Sequence, residues 1–189
     1  MVVRPFPPLT LLESADLLGR YRHVELALFA ALGRRAPQAT TPAVAVFLSG
    51  ASLAHGFRAG LIEPRLPVSI GLPGVVESTS SPDPALGEAI LRIVEADDAG
   101  VLDGLLGSLY PAMTIAYAHH LASASPAADP PISRMLQRIL SDLEAIRREG
   151  SDIAGPFGRL IGRSGVARGV DDWLMRSEGV FGPPRRNSA

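Results

Sequence analysis

The sequence predicts an all-α protein, a four-helix bundle with a long crossover connection and short C-terminal helices. Apolar residues recur every three or four positions in four long segments, which is the spacing of one face of an α-helix. No segment shows the alternation of apolar and polar residues that is typical of a strand. Short links join the helices within each pair, and the turn-rich segment 68–82 separates the two pairs.

The composition fits one soluble domain with a sizeable core. Of the 189 residues, 47% are hydrophobic and 20% are charged, and the formal net charge is −1. A charge so close to zero gives no electrostatic support for binding to nucleic acid or to an anionic membrane. The start, MVVRPFPPL, lacks the apolar core of a signal peptide, and no run approaches the ~20 apolar residues that span a bilayer. We therefore expect a soluble cytoplasmic protein with no membrane segment.

Two residue types are missing, and each absence excludes a kind of chemistry. The chain has no cysteine, which excludes disulfides, thiolate metal sites and cysteine nucleophiles. All 18 basic residues are arginine. The lack of lysine excludes Schiff-base catalysis, lysine-anchored pyridoxal phosphate and the lysine of a phosphate-binding loop.

The first helix is predicted from Thr10 to about Gly33, after an extended segment at 1–9 that contains three prolines. Thr10 and Glu13 have the spacing of a capping box, and Gly33 stands where a helix would end. Glu25 lies inside the apolar stripe and is therefore a candidate buried carboxylate. If the helix phase is shifted by one residue, Glu25 faces solvent instead. The stripe consists of Leu11, Leu18, Tyr21, Glu25, Leu28 and Leu32.

The second helix is predicted from Pro42, after the N-cap Thr41, to about Glu63. His55 and Arg58 interrupt its apolar stripe, and burial of such groups is costly unless they are paired. Two alternatives remain open: His55 as an ordinary core histidine, and Arg58 with its guanidinium extended to the surface. The stripe consists of Val44, Leu48, Ala51, His55, Arg58 and Ile62.

The second half of the chain predicts two further long helices and several short ones. They cover about 83–95, 101–122, 131–148, 157–161 and 170–175. Pro111 is expected to kink or split the helix in which it lies. The acid pairs Asp97–Asp98 and Asp171–Asp172 fit helix starts, where the helix dipole favours acids. We divide the chain into an extended segment at 1–9, a helical bundle at 10–163, and a C-terminal short helix with a flexible tail at 164–189.

Four segments together resemble one known family. They are LLGRYRHVELALFAALG (17–33), LAHGFRAGLIEPRLP (53–67), PAMTIAYAHHLA (111–122) and RMLQRILSDLEAIRREG (134–150). Through them the chain resembles the ferritin-like superfamily, and more narrowly a group of uncharacterised actinobacterial ferritin-like proteins with a degenerate di-iron motif. The resemblance implies the fold but brings no substrate.

The resemblance also allows a test of the metal ligands. Active di-iron members use a Glu from each of two helices and a Glu-x-x-His from each of the other two. Glu25 matches the first-helix carboxylate and His55 the second-helix histidine, but Ser52 stands where the paired glutamate is needed. On the fourth helix Leu143 and Ile146 take the ligand positions, and the third helix offers no glutamate near Tyr117. Two ligands of six are too few to bind and bridge two metals.

We therefore expect no cofactor, with Arg58 in the positive role that a metal would have and Glu25 and His55 beside it in a buried polar cluster. The expected function is that of an interaction or small-ligand-binding domain, as a homodimer. The alternative is a metal-dependent, di-iron-type oxygenase or hydroxylase with an atypical ligand set, with iron or manganese bound through Glu25 and His55. A candidate ligand pocket in the bundle is lined by Tyr21, Met113, Tyr117, His120 and Asp142. His119 and His120 cannot both face the core, because adjacent helical residues point about 100° apart.

Overall fold

The computed structural model describes residues 8–66, 84–125, 129–158, 165–176 and 181, and the regular structure in these ranges is entirely helical. The predicted crossover at 68–82, residues 1–7 and residues 159–161 lie outside the described residues. The helices are α1 Leu11–Arg35, α2 Pro42–Ile62, α3 Pro84–Val94, α4 Asp98–Ser123, α5 Pro130–Ala154 and α6 Val166–Arg176. Single 3₁₀ turns follow α1, α2 and α5 at Ala36–Gln38, Glu63–Arg65 and Gly155–Phe157.

Helix α1 begins as predicted but ends later. Thr10 and Glu13 form the capping box: the Glu13 N–H donates to Thr10 Oγ1 at 3.2 Å, and the Thr10 N–H donates to Glu13 Oε2 at 2.8 Å. The predicted end at Gly33 is wrong by two residues. Gly33 lies inside the helix and against α2, where an added Cβ would be 3.0 Å from Ser52 Oγ. This glycine therefore serves close helix contact and does not end the helix.

Helix α4 is longer than predicted and is not split by Pro111. It begins at Asp98, because Asp97 caps it by accepting the Gly100 N–H at 2.8 Å. A π-helical turn at Leu105–Leu109 immediately precedes Tyr110 and Pro111. Proline lacks an N–H and its ring crowds the carbonyl four residues earlier, so a wider turn just before it lets the helix continue.

Helix α5 also exceeds its predicted length and passes through Gly150. A Cβ at Gly150 would lie 2.7 Å from Leu106 Cδ2 and 2.9 Å from Phe47 Cζ. The glycine thus lets α5 approach side chains from α4 and α2. The predicted end at Arg148 is wrong for the same reason as the predicted end of α1. The glycine that suggested a helix end is instead a point where two helices pack closely.

The long helices pack around one apolar core. Helix α1 runs antiparallel to α2, since Arg22 pairs with Glu63 at 3.1 Å while Gly33 abuts Ser52. Helix α5 packs on α2 and α4, and α6 packs on α3 and α4. Trp173 is 7% exposed and joins the core, so it anchors the C-terminal helix α6.

Two helical stretches are long and apolar enough to cross a membrane on length and composition. Pro42–Arg65 and Asp98–Ser123 each contain a window of mean hydropathy 1.2, of which 44% and 67% respectively is buried inside the protein. Core helices of soluble proteins have the same properties. The expected absence of a membrane segment stays a prediction.

Candidate functional site

Three helices bring five polar side chains together in the core. Glu25 comes from the middle of α1. His55 and Arg58 are three residues apart on α2 and share one face. Tyr110 and Tyr117 are two turns apart on α4. All five side chains are 0% exposed, so the helical stripes predicted the burial of Glu25, His55 and Arg58 correctly.

The Glu25 carboxylate is the centre of this network. It accepts hydrogen bonds from Arg58 Nε at 3.1 and 3.0 Å, from the Tyr117 hydroxyl at 2.7 Å and from His55 Nδ1 at 2.6 Å. The other imidazole nitrogen, His55 Nε2, lies 3.2 Å from the Tyr110 hydroxyl. We call Glu25, His55, Arg58, Tyr110 and Tyr117 the Glu25 network.

The Glu25 network holds one full ion pair. Burial opposes ionisation of Glu25, but His55, Arg58 and Tyr117 outweigh it and hold the pKa of this carboxyl below its ordinary value. Burial lowers the pKa of His55, although Glu25 acts in the opposite direction. Burial likewise raises the pKa of both tyrosines. At neutral pH the network therefore contains anionic Glu25, cationic Arg58 and neutral His55, with a net charge of zero.

These charges assign the proton on His55. A neutral imidazole carries one N–H. Because Glu25 is ionised and only 2.6 Å from Nδ1, that nitrogen is the donor, and Nε2 accepts from the Tyr110 hydroxyl. Arg58 Nη2 lies 2.8 Å from the same Nδ1, which then has no lone pair to offer. Arg58 Nη1 has no partner in the described part of the chain. The guanidinium of Arg58 therefore neutralises the charge of Glu25, although not all of its own N–H groups find an acceptor among the described residues.

The residues around Glu25 do not fit a di-iron centre. Within the described ranges no three His, Asp or Glu side chains are grouped closely enough to hold a metal ion. Ser52 donates to the Phe29 carbonyl, and Leu143 and Ile146 are buried apolar residues at the fourth-helix positions. Both Glu25 oxygens already accept hydrogen bonds, and one of the donors is the guanidinium of Arg58, a cation that is fixed to the backbone. A divalent ion would have to displace these donors and would be repelled by Arg58.

The side chains predicted to line a pocket mostly pack against one another. Tyr21, Met113, Tyr117 and His120 are all at most 1% exposed. The Tyr21 ring meets the Tyr117 ring edge-on at 4.5 Å and lies 5.8 Å from His120. Asp142 is only partly buried. The rings therefore fill much of the space that was expected to hold a ligand.

The sequence did not predict a contact between a serine and a histidine that lies beside these packed rings. Ser14 Oγ lies 3.0 Å from His120 Nε2, and both residues are buried. Burial, together with nearby His119, lowers the pKa of His120 to about 4. His119 is exposed, so only one of the adjacent pair faces the core, as expected.

A second buried ion pair was also missed, at the other end of α1. Arg35 Nη2 donates to Asp98 Oδ1 at 2.8 Å, and Asp98 Oδ2 accepts from the Thr40 hydroxyl and the Thr41 N–H, each at 2.8 Å. Burial raises the pKa of Asp98, but Thr40, Thr41 and Arg35 outweigh it and lower the pKa below its ordinary value. The helix-start interpretation holds for both acids, because Asp97 caps α4 and Asp98 is its first residue. It did not foresee that the Asp98 side chain would also pair with Arg35.

Fold and site together define an all-α protein with a closed, charge-balanced polar network among its helices. No protein-family model, no curated protein and no solved structure matches the chain.

The first prediction concerns the ion pair of the Glu25 network. Glu25→Ala leaves Arg58 charged and unpaired in the core, so the free energy of unfolding should fall by about 3–5 kcal/mol. Glu25→Ala/Arg58→Leu removes both charges and should recover most of that loss. Urea denaturation followed by circular dichroism measures both. Glu144→Ala, which breaks an exposed pair with Arg148, is the control and should cost under about 1 kcal/mol. A Glu25→Ala variant as stable as this control would contradict the prediction.

The second prediction concerns pH. The pKa of His120 is about 4 in the fold against 6.5 ordinarily, so the unfolded chain takes up the proton first as the pH falls. The stability from neutral His120 is complete above about pH 6.5 and should decrease by roughly 2–3 kcal/mol near pH 4. His120→Gln should lack this component, whereas His119→Gln, at the exposed neighbour, should keep it. Unfolding free energies between about pH 7 and pH 4 test this, and parallel curves for wild type and His120→Gln would refute it.

Proposed function

We propose that this protein is a cofactor-free, ferritin-like four-helix bundle that acts as an interaction domain. The observation that carries the proposal is the position of Arg58. Its guanidinium is fully buried and lies 3.0 Å from the Glu25 carboxylate, where a di-iron relative would need a metal to balance the same charge. Because the Arg58 guanidinium is covalently attached to the chain at that place, no room remains for an exchangeable metal ion.

The order of the helices supports the ferritin-like part of the proposal. Two long antiparallel helices, α1 and α2, are joined by a link of a few residues, and so are α4 and α5. Residues 63–97, which include α3, connect the pairs. This is the arrangement of bundles with one crossover. Glu25 and His55 face each other between α1 and α2, as the first two ligands would in an active member.

The proposal predicts the metal content of the purified protein. Protein produced in iron- and manganese-supplemented medium should contain well under one metal ion per chain, measured by inductively coupled plasma mass spectrometry. Glu25→Ala and Glu144→Ala, the latter an exposed acid, should not differ from wild type. Near-stoichiometric iron or manganese that is lost in Glu25→Ala but kept in Glu144→Ala would instead support the oxygenase alternative.

The interaction surface that we propose is the exposed side of α2. The only charged residue of this helix is Arg58, which is buried, so its solvent-facing side carries no charge. Val46 and Leu53 are 70% and 69% exposed, and Phe57 is 49% exposed. We call Val46, Gly50, Leu53, Phe57 and Gly60 the α2 outer face.

Helix α1 widens this surface. Phe29, 43% exposed, lies against Gly56, where a Cβ would be 3.0 Å from its ring. Leu26, one turn earlier, is 37% exposed. Residues 46–60 extend about 21 Å along α2, and two helices side by side are about 20 Å wide. The resulting area, about 400 Å², is comparable with the largest apolar patches of monomers, which are often functional.

We propose a second copy of the chain as the partner. An uncharged, apolar surface is best complemented by another such surface, and a twofold axis through Leu53 would bring this one against itself. About 400 Å² is half of what one partner commonly buries in a stable interface. Arg138, whose guanidinium lies 4.9 Å from the Phe57 ring centre, stands at the rim of this face.

The homodimer is tested by one charge on the α2 outer face. Wild type should have twice the mass of one chain in light scattering after size-exclusion chromatography, and Leu53→Glu should be monomeric because the interface would bury an unpaired carboxylate. Ile115→Glu is the matched control, since Ile115 is 71% exposed and lies on α4. A monomeric wild type, or equal dissociation by both variants, would refute the dimer but would leave the cofactor-free interior unaffected.

A further inference from the structure

Two of the three glycines inside α2 are not explained by packing within the chain. Gly56 lies against Phe29 of α1, where an added Cβ would be 3.0 Å from the nearest ring atom. Gly50 and Gly60 are exposed, and an added Cβ at either would have open space around it in the described part of the chain. An exposed glycine inside a helix is less favourable than alanine, because it loses more backbone freedom on folding. Both positions could therefore hold a larger side chain without cost to this packing.

Two large exposed side chains of the α2 outer face lie at matching distances on the other side of Leu53. An α-helix rises about 1.5 Å per residue, so Gly50 lies about 4.5 Å before Leu53 and Phe57 about 6 Å after it. Val46 and Gly60 lie about 10.5 Å before and after Leu53. Phe57 and Val46 are 49% and 70% exposed. Each of these side chains thus has a glycine as its counterpart, at a similar distance in the opposite direction.

Each side chain and its glycine also lie along one line of the helix surface. Successive residues of a helix are rotated by about 100°, so Gly50 and Phe57, which are seven residues apart, differ in direction by about 20°. Val46 and Gly60 are fourteen residues apart and differ by about 40°. Both pairs therefore lie on the same side of α2 as Leu53.

A twofold axis at Leu53 places these counterparts opposite each other. The axis lies between the two copies and at right angles to both helices, so the second α2 runs antiparallel to the first. A residue that precedes Leu53 in one copy then faces a residue that follows Leu53 in the other. Phe57 of one copy lies over Gly50 of the other, and Val46 lies over Gly60. A side chain that faces a glycine lets two helices approach to about 8 Å, the lower end of the usual range.

We propose that Gly50 and Gly60 determine how two copies of the chain pair, because each provides a recess for a side chain of the partner subunit. The recess at Gly50 receives Phe57, and the recess at Gly60 receives Val46. This inference rests on the homodimer proposed above and specifies its register. Burial of these side chains removes apolar area from water. Each contact occurs twice across the twofold axis, so four contacts surround Leu53.

Enlargement of one recess tests the inference. Gly50→Leu adds a side chain that has open space within one chain but would collide with Phe57 of the partner subunit. We expect the dimer dissociation constant, measured by sedimentation equilibrium, to rise at least ten-fold. Gly87→Leu is the matched control, because Gly87 is an exposed helical glycine of α3 with equally open surroundings among the described residues. It should leave the dissociation constant unchanged, and circular dichroism should show both variants to be as helical as wild type.

The register is tested by disulfide cross-linking, since the chain has no cysteine of its own. In a mixed dimer, Val46→Cys in one copy and Gly60→Cys in the other place their thiols side by side. Two copies of either variant would instead place them about 21 Å apart along the helices. Under mild oxidation, an equimolar mixture of the two variants should form linked dimers, whereas either variant alone should form few.

The outcomes separate this inference from the homodimer itself. A monomeric wild type would refute both. A dimeric wild type with equal effects of Gly50→Leu and Gly87→Leu, or with no linked dimer in the mixture, would overturn the recesses and keep the dimer. Linked dimers of Val46→Cys alone, at the yield of the mixture, would place Val46 at the twofold axis and would overturn the register too.

Discussion

The ion pair between Glu25 and Arg58 constrains the whole interior. Taking two charges out of water costs several kcal/mol per ion, and the mutual attraction offsets this only when geometry and hydrogen bonds are favourable. Here α2 supplies Arg58 and His55, and α4 supplies Tyr117 to the same carboxylate. A shift of α1 by one turn, about 5.4 Å, would leave both charges buried without partners. The pair therefore specifies the register of α1, α2 and α4 more than it adds stability.

Polar contacts with α4 occur along the whole length of α1. Ser14, Glu25 and Arg35 each contact a polar group of α4, at His120, Tyr117 and Asp98 respectively. Apolar contacts allow neighbouring registers at similar cost, whereas a buried donor or charge tolerates little displacement. Three polar contacts along one helix thus fix its position against α4 at the start, the middle and the end.

The spacing of apolar residues correctly predicted the features of the structure that depend only on nearby residues in the chain. The stripe of α2 placed His55 and Arg58 in the core, because a helical phase follows from a few turns of sequence. The predicted helix ends at Gly33 and Arg148 were wrong, since a glycine packed against a neighbour carries the same signal as one that ends a helix. The pairing of Arg35 with Asp98 joins residues far apart in the chain. Tyr110 was missed because it follows directly on a π-helical turn, which changes the phase of the helix.

The nature of the cation decides what such an interior can do. A metal ion can exchange, change oxidation state or bind a small molecule at an open position, whereas a guanidinium attached to the backbone does none of these. With Arg58 in the balancing role, the hydrogen bonds of the Glu25 network fix helix register and leave no open coordination position beside the carboxylate. The described part of the chain has an uncharged side of α2 and, where α1 and α3 end, an arginine-lined cavity with an exposed leucine, and the fold alone requires neither.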